Sequence, residues 1–334
     1  KGDGPTLLFN GHTDVVPAGD GWDDDPYSGI IKDGNLYGRG ACDMKGGLVA
    51  TLAVAKVFKK AQIKPKGDLL FSVVVDEEAG GNYGTGFLMD EELIEADMAI
   101  VAEPSDFKLS VSEGGVVWTK IRVEGTDQTH TINKSEAVNP VFKMAKLISA
   151  LEELSEEVEQ MEHELHGSPI LTVNVVRGGD KTNIIPGFCE AEVDFRFPPG
   201  LGIEPDDAIA KMKSVFDRLS EEDEEMNIDA DFDIVAYPFE QSEDTEIVNL
   251  LKDSHKQVTG EEAQWWRRGK KTVIPTDDSD VYHLWVKGDI PSVYFGPGKL
   301  SKCHVANESI PLEDIYRAAK IYTVLALKAL TENK

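Results

Sequence analysis

The feature that most constrains this chain is a histidine and an aspartate placed where a buried strand would end. The apolar run at residues 7–9 leads within a few residues to His12 and Asp14. Three later apolar runs are also followed by metal-ligand residue types: residues 69–75 by Glu77 and Glu78, residues 99–102 by Glu103, and residues 292–295 by His304. Open α/β sheets bind their ligands at the carboxyl ends of their strands, so we expect one sheet edge to gather these side chains.

A further aspartate, Asp43, lies in the glycine-dense stretch at residues 38–47. Two divalent cations a few ångström apart need a shared carboxylate, and Asp43 is the natural bridge between them. Asp14 follows His12 by two residues, a spacing at which it can accept the other ring N–H of that histidine and fix its tautomer. Such a cluster of carboxylates would be costly without cations to neutralise it, so the sequence predicts a two-metal site.

Composition excludes some partners. The 334 residues include 61 acidic and 34 basic ones, a formal charge of -27 that would repel nucleic acids and anionic membrane surfaces. The three cysteines, Cys42, Cys189 and Cys303, cannot form a disulfide framework, and no apolar run has membrane-spanning length. We therefore expect a cytoplasmic protein. The first strand follows Lys1 almost at once, so we also expect that a helix and a strand precede this sequence in the native chain.

The order of periodic segments predicts an α/β fold with an insertion. Strand-like and helical runs alternate up to residue 114 and again from residue 237, as in a mainly parallel sheet with helices on both faces. The pattern in residues 115–236 instead predicts the order β-α-β-β-α-β, which is the ferredoxin-like order. Apolar and polar residues alternate within each of its predicted strands. We therefore predict a discontinuous metal-binding catalytic domain, residues 1–114 and 237–334, interrupted by a domain at residues 115–236.

Several sequence strings together resemble one known family across nearly the whole chain. GHTDVVP, GRGACDMKGG, DEEAGG, AEPS, TNIIPG, FGPG and CHVANE occur in this order. They resemble the co-catalytic di-zinc deacylases and exopeptidases that include acetylornithine deacetylase, succinyl-diaminopimelate desuccinylase, aminoacylase and carboxypeptidase G. The resemblance implies a hydrolase of linear amide bonds that uses two divalent ions, zinc first and cobalt or manganese as alternatives.

Residue by residue, the resemblance implies one metal held by His12 and Glu103 and a second by Glu78 and His304. Asp43 would bridge both metals through a turn whose following peptide is cis. Glu77 would be the general base, and Asp14 would assist through His12. The remaining implied site residues are His130 in catalysis and, in substrate binding, Asn183, Arg196 and Gly298.

The resemblance also implies that the inserted domain is a lid and dimerisation domain, so that His130 and Asn183 complete the site of the partner subunit in a homodimer. The expected substrate is a small N-acyl amino acid or a dipeptide. Two departures from the family pattern concern this region. His130 follows Gly125 by five residues instead of four, and Gly114-Gly115 stand where the desuccinylase branch has a substrate-binding arginine.

Alternatives remain open at this point. The chain could be a metallo-exopeptidase of the same family, or a metal-binding homologue without catalysis, although an intact Glu77 argues against the second. Cys42 and Cys303 adjoin predicted ligands and could bind zinc, or they could be small buried residues. Asn183 could be a turn residue and Arg196 could only pair with Asp194.

Overall fold

A computed structural model describes residues 2–163, 166–266 and 279–331. The strands are β1 (Thr6–His12), β2 (Ile30–Lys32), β3 (Asn35–Tyr37), β4 (Asp68–Val74), β5 (Met98–Val101), β6 (Lys108–Leu109), β7 (Ser112–Glu113), β8 (Gly115–Glu124), β9 (Thr129–His130), β10 (Ile170–Gly178), β11 (Ile184–Ile185), β12 (Phe188–Phe197), β13 (Asn227–Ala236), β14 (Phe239–Glu240), β15 (Gln264–Trp265), β16 (Ser292–Tyr294) and β17 (Ser309–Pro311). The helices are α1 (Gly46–Ala61), α2 (Thr85–Asp90), α3 (Pro140–Val158), α4 (Pro205–Glu222), α5 (Glu246–Thr259), α6 (Asp280–Tyr282) and α7 (Leu312–Thr331).

The chain forms two compact units. Within the described residues, the first unit contains residues 2–111, 241–266 and 279–331, and the second contains residues 112–240. No helix in these described ranges is both long enough and apolar enough to cross a membrane.

The first unit is built on a four-stranded sheet in the order β16-β5-β1-β4, and every neighbouring pair in it is parallel. Helices lie on both sides of this sheet, as the alternating sequence pattern predicts. Strands β1, β5 and β16 are mostly apolar and buried, and their side chains pack with those of α1, α5 and α7 around Phe9, Phe295 and Tyr322. The hydroxyl of Tyr322 donates to the backbone oxygen of Phe295 at 2.7 Å, which satisfies a polar group inside this core.

The second unit has the element order β8-α3-β10-β12-α4-β13, which is the predicted β-α-β-β-α-β sequence. Its antiparallel sheet has the strand order β10-β12-β8-β13. Helices α3 and α4 pack against the sheet face that carries Val117, Ile121 and Val123. Helix α3 starts after the N-cap residue Asn139, whose Oδ1 accepts from the backbone N–H of Val141 at 3.0 Å.

Candidate metal centre

The parallel strands of the first unit deliver the predicted side chains to one edge. His12 is the last residue of β1, and the short helical turn that contains Glu77 and Glu78 begins three residues after the last residue of β4. Glu103 lies two residues after β5, and His304 lies in the segment that follows β16. Because parallel strands end at the same edge of a sheet, residues far apart in sequence meet there.

Asp43 reaches this edge from a tight turn rather than from a strand. The turn Ala41–Lys45 precedes α1, and its Asp43-Met44 peptide bond is cis, as the family resemblance implies. Helix α1 then begins with Gly46 and Gly47, and a Cβ at Gly47 would collide with the backbone oxygen of Ala102. Glycine at this position lets the turn approach the end of β5, which brings Asp43 close to Glu103.

His12 lies at the centre of one group of carboxylates. Its Nε2 is 3.3 Å from Asp43 Oδ1, 3.4 Å from Glu103 Oε1 and 3.6 Å from Glu77 Oε2. The imidazole is fully buried. Among the described residues, the potential ligand atoms of His12, Glu77 and Glu103 all lie within 4.8 Å of one another.

A second group shares Asp43 with the first. His304 Nε2 lies 3.3 Å from Asp43 Oδ2 and 3.0 Å from Glu78 Oε2. The ligand atoms of His12, Asp43 and Glu78 also fall within 4.8 Å of one another. The structure thus brings together the five predicted metal ligands and the predicted base, with the two oxygens of Asp43 turned toward different histidines.

The other ring nitrogen of His12 faces Asp14. Nδ1 lies 3.1 Å from the backbone oxygen of Asp14 and 3.4 Å from its carboxylate Oδ1. The side chain of Asp14 also accepts from the backbone N–H of Glu78 through Oδ2 at 3.2 Å. Asp14 therefore orients His12 partly through its own main chain, and it ties the β1 end to the turn that carries Glu78.

The charges of this cluster are unbalanced without a cation. Burial, together with the nearby Glu103 carboxylate, raises the pKa of Glu77 well above its usual range, and burial beside Asp43 raises the pKa of Glu103 in the same way. Burial opposes ionisation of Asp43 as well, but hydrogen bonds from His12 and His304 hold its pKa below the usual value. Hydrogen bonds to Asp43 and Glu78 raise the pKa of His304 to about 10.

These residues fit a pair of divalent cations. Glu103 Oε1 is buried and has no hydrogen-bond partner among the residues that the structure describes. Imidazole nitrogens and carboxylate oxygens are ligands of zinc-class ions, and such an ion at this position would satisfy the orphaned oxygen. Neither of the two ligand groups includes a cysteine. Cys42 and Cys303 instead contact each other, with their sulfur atoms 3.6 Å apart, and both are buried.

Gly298 is predicted to bind substrate, but the structure also requires a glycine at this position. Its φ is 89°, and a Cβ there would lie 2.6 Å from the sulfur of Cys42. A larger residue at this position would therefore disturb the turn that carries Asp43.

The remaining predicted site residues belong to the second unit. His130 ends β9 and pairs with Ile184 of β11, and the N–H of Thr131 donates to the backbone oxygen of Asn183 at 3.1 Å. His130 and Asn183 are therefore neighbours, and both are exposed. Arg196 donates from Nε to both oxygens of Asp194, at 2.8 and 3.1 Å.

Four polar residues near the centre are missing from the set of predicted site residues: Arg39, Asp280, His283 and Glu308. All four are buried. Nε2 of His283 lies 3.0 Å from the backbone oxygen of Gly80. Gly80 comes directly after the turn that carries Glu77. Burial raises the pKa of Asp280 to about 6. Arg39 and Glu308 lie within the sequence motifs GRGACDMKGG and CHVANE, and this was the sequence signal that could have identified them as site residues.

Comparison with known proteins identifies the family to which this chain belongs. The profile of peptidase family M20/M25/M40 matches residues 8–328. Succinyl-diaminopimelate desuccinylase of Cereibacter sphaeroides is 35% identical over 207 residues, which cover 59% of this chain and 53% of that protein. The desuccinylase of Nautilia profundicola is 28% identical over 330 residues, which cover 96% of this chain and 83% of that protein. The chain thus spans about half the length of the first curated relatives that it matches.

A solved structure shows the same fold. An M20 family metallo-carboxypeptidase from Sulfolobus solfataricus matches with a TM-score of 0.77 at 21% identity, over 96% of this chain and 84% of that chain. The matched range includes every residue of the strand-end cluster and the whole of the second unit. This chain belongs to peptidase family M20/M25/M40.

Proposed function

We propose that this protein is a metal-dependent amidohydrolase that cleaves the amide bond of N-acyl amino acids. The observation that carries the proposal is the shared carboxylate of Asp43, whose two oxygens each lie 3.3 Å from a different histidine. His12 and Glu103 would hold one divalent ion, and His304 and Glu78 the other. Zinc is our first choice, with cobalt and manganese as alternatives. When bound, the ions would polarise the amide carbonyl and acidify the attacking water.

Glu77 is the proposed general base. It is buried beside His12, and its environment already favours proton uptake, since burial raises its pKa well above the usual range. The carboxylate would take one proton from the attacking water as the new carbon–oxygen bond forms. It would then give that proton to the leaving nitrogen as the carbon–nitrogen bond breaks, so that the products are a free acid and a free amine.

The substrate class rests on two lines of support. The curated relatives are named succinyl-diaminopimelate desuccinylases, which favours removal of an acyl group. The neighbouring structure is named a metallo-carboxypeptidase, and a metallo-exopeptidase or dipeptidase is therefore our second candidate. Gly114-Gly115 stand where the desuccinylase branch has an arginine, so we do not assign diaminopimelate itself.

We further propose that residues 115–236 act as a lid and dimerisation domain. The exposed neighbours His130 and Asn183 would contact the substrate carboxylate or the developing oxyanion in the partner subunit's site. Arg196 would assist in substrate binding, although its ion pair with Asp194 also supports a purely structural role.

The decisive experiment is a substrate panel. The zinc-loaded protein would be incubated with N-acetyl, N-succinyl and N-formyl amino acids and with dipeptides, and release of free amine would be measured. We expect turnover of at least one acyl class, its loss on chelation and its return with added metal. Turnover of dipeptides alone would favour the exopeptidase. Absence of turnover in a chain with verified metal content would support the alternative of a metal-binding homologue without catalysis.

A further inference from the structure

The fully buried carboxylate of Glu308 is bound to the turn that carries Asp43. Its Oε2 accepts from Arg39 Nη1 at 2.5 Å and from the N–H of Gly40 at 3.1 Å. Its Oε1 accepts from the N–H of Cys42 at 2.8 Å and from the N–H of Asp43 at 3.1 Å. One side chain thus receives four hydrogen bonds from residues 39–43, including one from the main chain of the shared ligand itself.

Glu308 also shares a short segment with the second histidine of the site. His304 and Glu308 are four residues apart, and His304 Nε2 reaches Asp43 Oδ2 at 3.3 Å. The segment therefore contacts the Asp43 residue twice, once at its carboxylate and once at its backbone N–H. The carboxylate and the main chain of Asp43 are thus both held by residues of one short segment.

Arg39 compensates the charge of this buried anchor. Its side chain is 2% exposed and that of Glu308 is fully buried, so the ion pair is out of contact with water. Nη2 of Arg39 donates to the backbone oxygens of Pro17 and Ala18, at 3.4 and 3.2 Å, whereas Nε has no hydrogen-bond partner among the described residues. A buried ion pair persists where its remaining donors and acceptors are satisfied, and this pair meets that condition on the carboxylate side.

We propose that Glu308 is a positioning residue of the metal centre, which sets the shared carboxylate of Asp43 against His304 and thereby tunes the second metal position. The inference rests on the two-metal site proposed above. Both carboxylate oxygens of Glu308 already accept from the four donors in residues 39–43, so its influence on a bound metal would be indirect. Its effect passes through the backbone of residues 40–43, as outer hydrogen-bond partners orient the groups that ligate a metal.

The variant Glu308→Gln tests this inference. A carboxamide keeps one acceptor oxygen but turns an NH₂ group toward Arg39 and the N–H of Gly40, or toward the two other N–H groups. The matched control is Gln241→Met. Gln241 is also buried in the first unit and binds both backbone groups of Ser292, at the start of β16 and so at the opposite end of the strands from the metal ligands.

Cobalt-loaded protein supplies the readout, because the visible absorption of Co²⁺ reports its ligands and coordination number. We expect Glu308→Gln to change this spectrum and to weaken binding of the second equivalent of metal about 10–100-fold. Gln241→Met should lower thermal stability and leave the spectrum and both affinities unchanged. A purely structural role for Glu308 would make the two variants behave alike.

Two outcomes would overturn the inference: an unchanged cobalt spectrum with unchanged affinities in folded Glu308→Gln, or equal changes in both variants. If Glu308→Gln does not fold, Glu308→Asp decides by the same two measurements, because it keeps the charge but cannot reach all four donors. Failure of the wild-type chain to bind two equivalents of Co²⁺ would instead contradict the metal site proposed above, so the two failures are distinguishable.

Discussion

Asp43 and His304 face each other across the candidate metal centre, with Oδ2 of the aspartate 3.3 Å from Nε2 of the histidine. The other oxygen of Asp43 lies at the same distance from His12. If this carboxylate bridges two ions, its removal should affect both positions at once. We expect Asp43→Ala to lose most bound metal, as measured by elemental analysis after gel filtration, whereas His304→Ala should retain about one ion per chain. Retention of both ions by Asp43→Ala would contradict the bridge.

The second prediction separates proton transfer from metal binding. Glu77→Gln keeps the shape of the side chain but removes the base, so it should retain both ions and lose about 10²–10⁴-fold or more in turnover. Glu78→Gln is the matched control, since it alters the adjacent residue and should lower metal content first. Both quantities would be measured on the same preparations. Full activity of Glu77→Gln would exclude Glu77 as the base.

The third prediction concerns metal removal. The proposed ligands come from the ends of β1, β4 and β5, from the turn before α1 and from the segment after β16, so bound ions would hold five parts of the first unit together. A ligand that binds only the folded chain stabilises it by mass action. Chelation should therefore lower the melting temperature, and added zinc should restore it. An unchanged melting temperature in a chain stripped of verified metal would count against the site.

The fourth prediction uses the pH dependence of stability. Burial lowers the pKa of His283 below 6.5, so the unfolded chain binds this proton more readily than the folded one. The contribution of the neutral ring is therefore present above pH 6.5 and is lost as pH falls from 6.5 toward the lower folded pKa. Wild type should lose stability on acidification through this window more steeply than His283→Gln, whose amide can still donate to the backbone oxygen of Gly80.

Denaturant melts of both proteins from about pH 7 to pH 5 would measure the difference between the two slopes. Taking the difference removes the contributions of His12 and His304, which are present in both chains. Parallel curves for the two proteins would show that His283 does not carry the effect.

The sequence predicted that these side chains would meet at one sheet edge because their positions follow a simple geometric rule. His12, Glu77 and Glu103 come within three residues of the ends of apolar runs, and parallel strands bring such residues to one edge whatever their separation in the chain. The start of one helix also follows from a local signal: the pair Asn139-Pro140 favours an N-cap and first turn, and α3 begins at Pro140.

What the sequence did not predict depends on contacts that no local pattern encodes. Arg39 and Glu308 are 269 residues apart, and a carboxylate inside a motif does not reveal which backbone groups it will bind. Strands of two residues, such as β9 and β11, are too short to show a period. The position of Asp14 was predicted, but the shorter contact of its backbone oxygen with His12 follows from the local path of the chain after β1.

The last prediction addresses the proposed role of the second unit. If His130 completes the partner subunit's site, an inactive Glu77→Gln chain and an inactive His130→Ala chain should complement each other. A hybrid dimer would contain one site with an intact Glu77 from one chain and an intact His130 from the other, so activity should return to about half of wild type per hybrid. The control replaces the Glu77→Gln chain with a Glu77→Gln/His130→Ala chain, whose hybrids have no intact site. Exchange of subunits would be verified by mass, and hybrids without activity would show that each second unit serves its own chain.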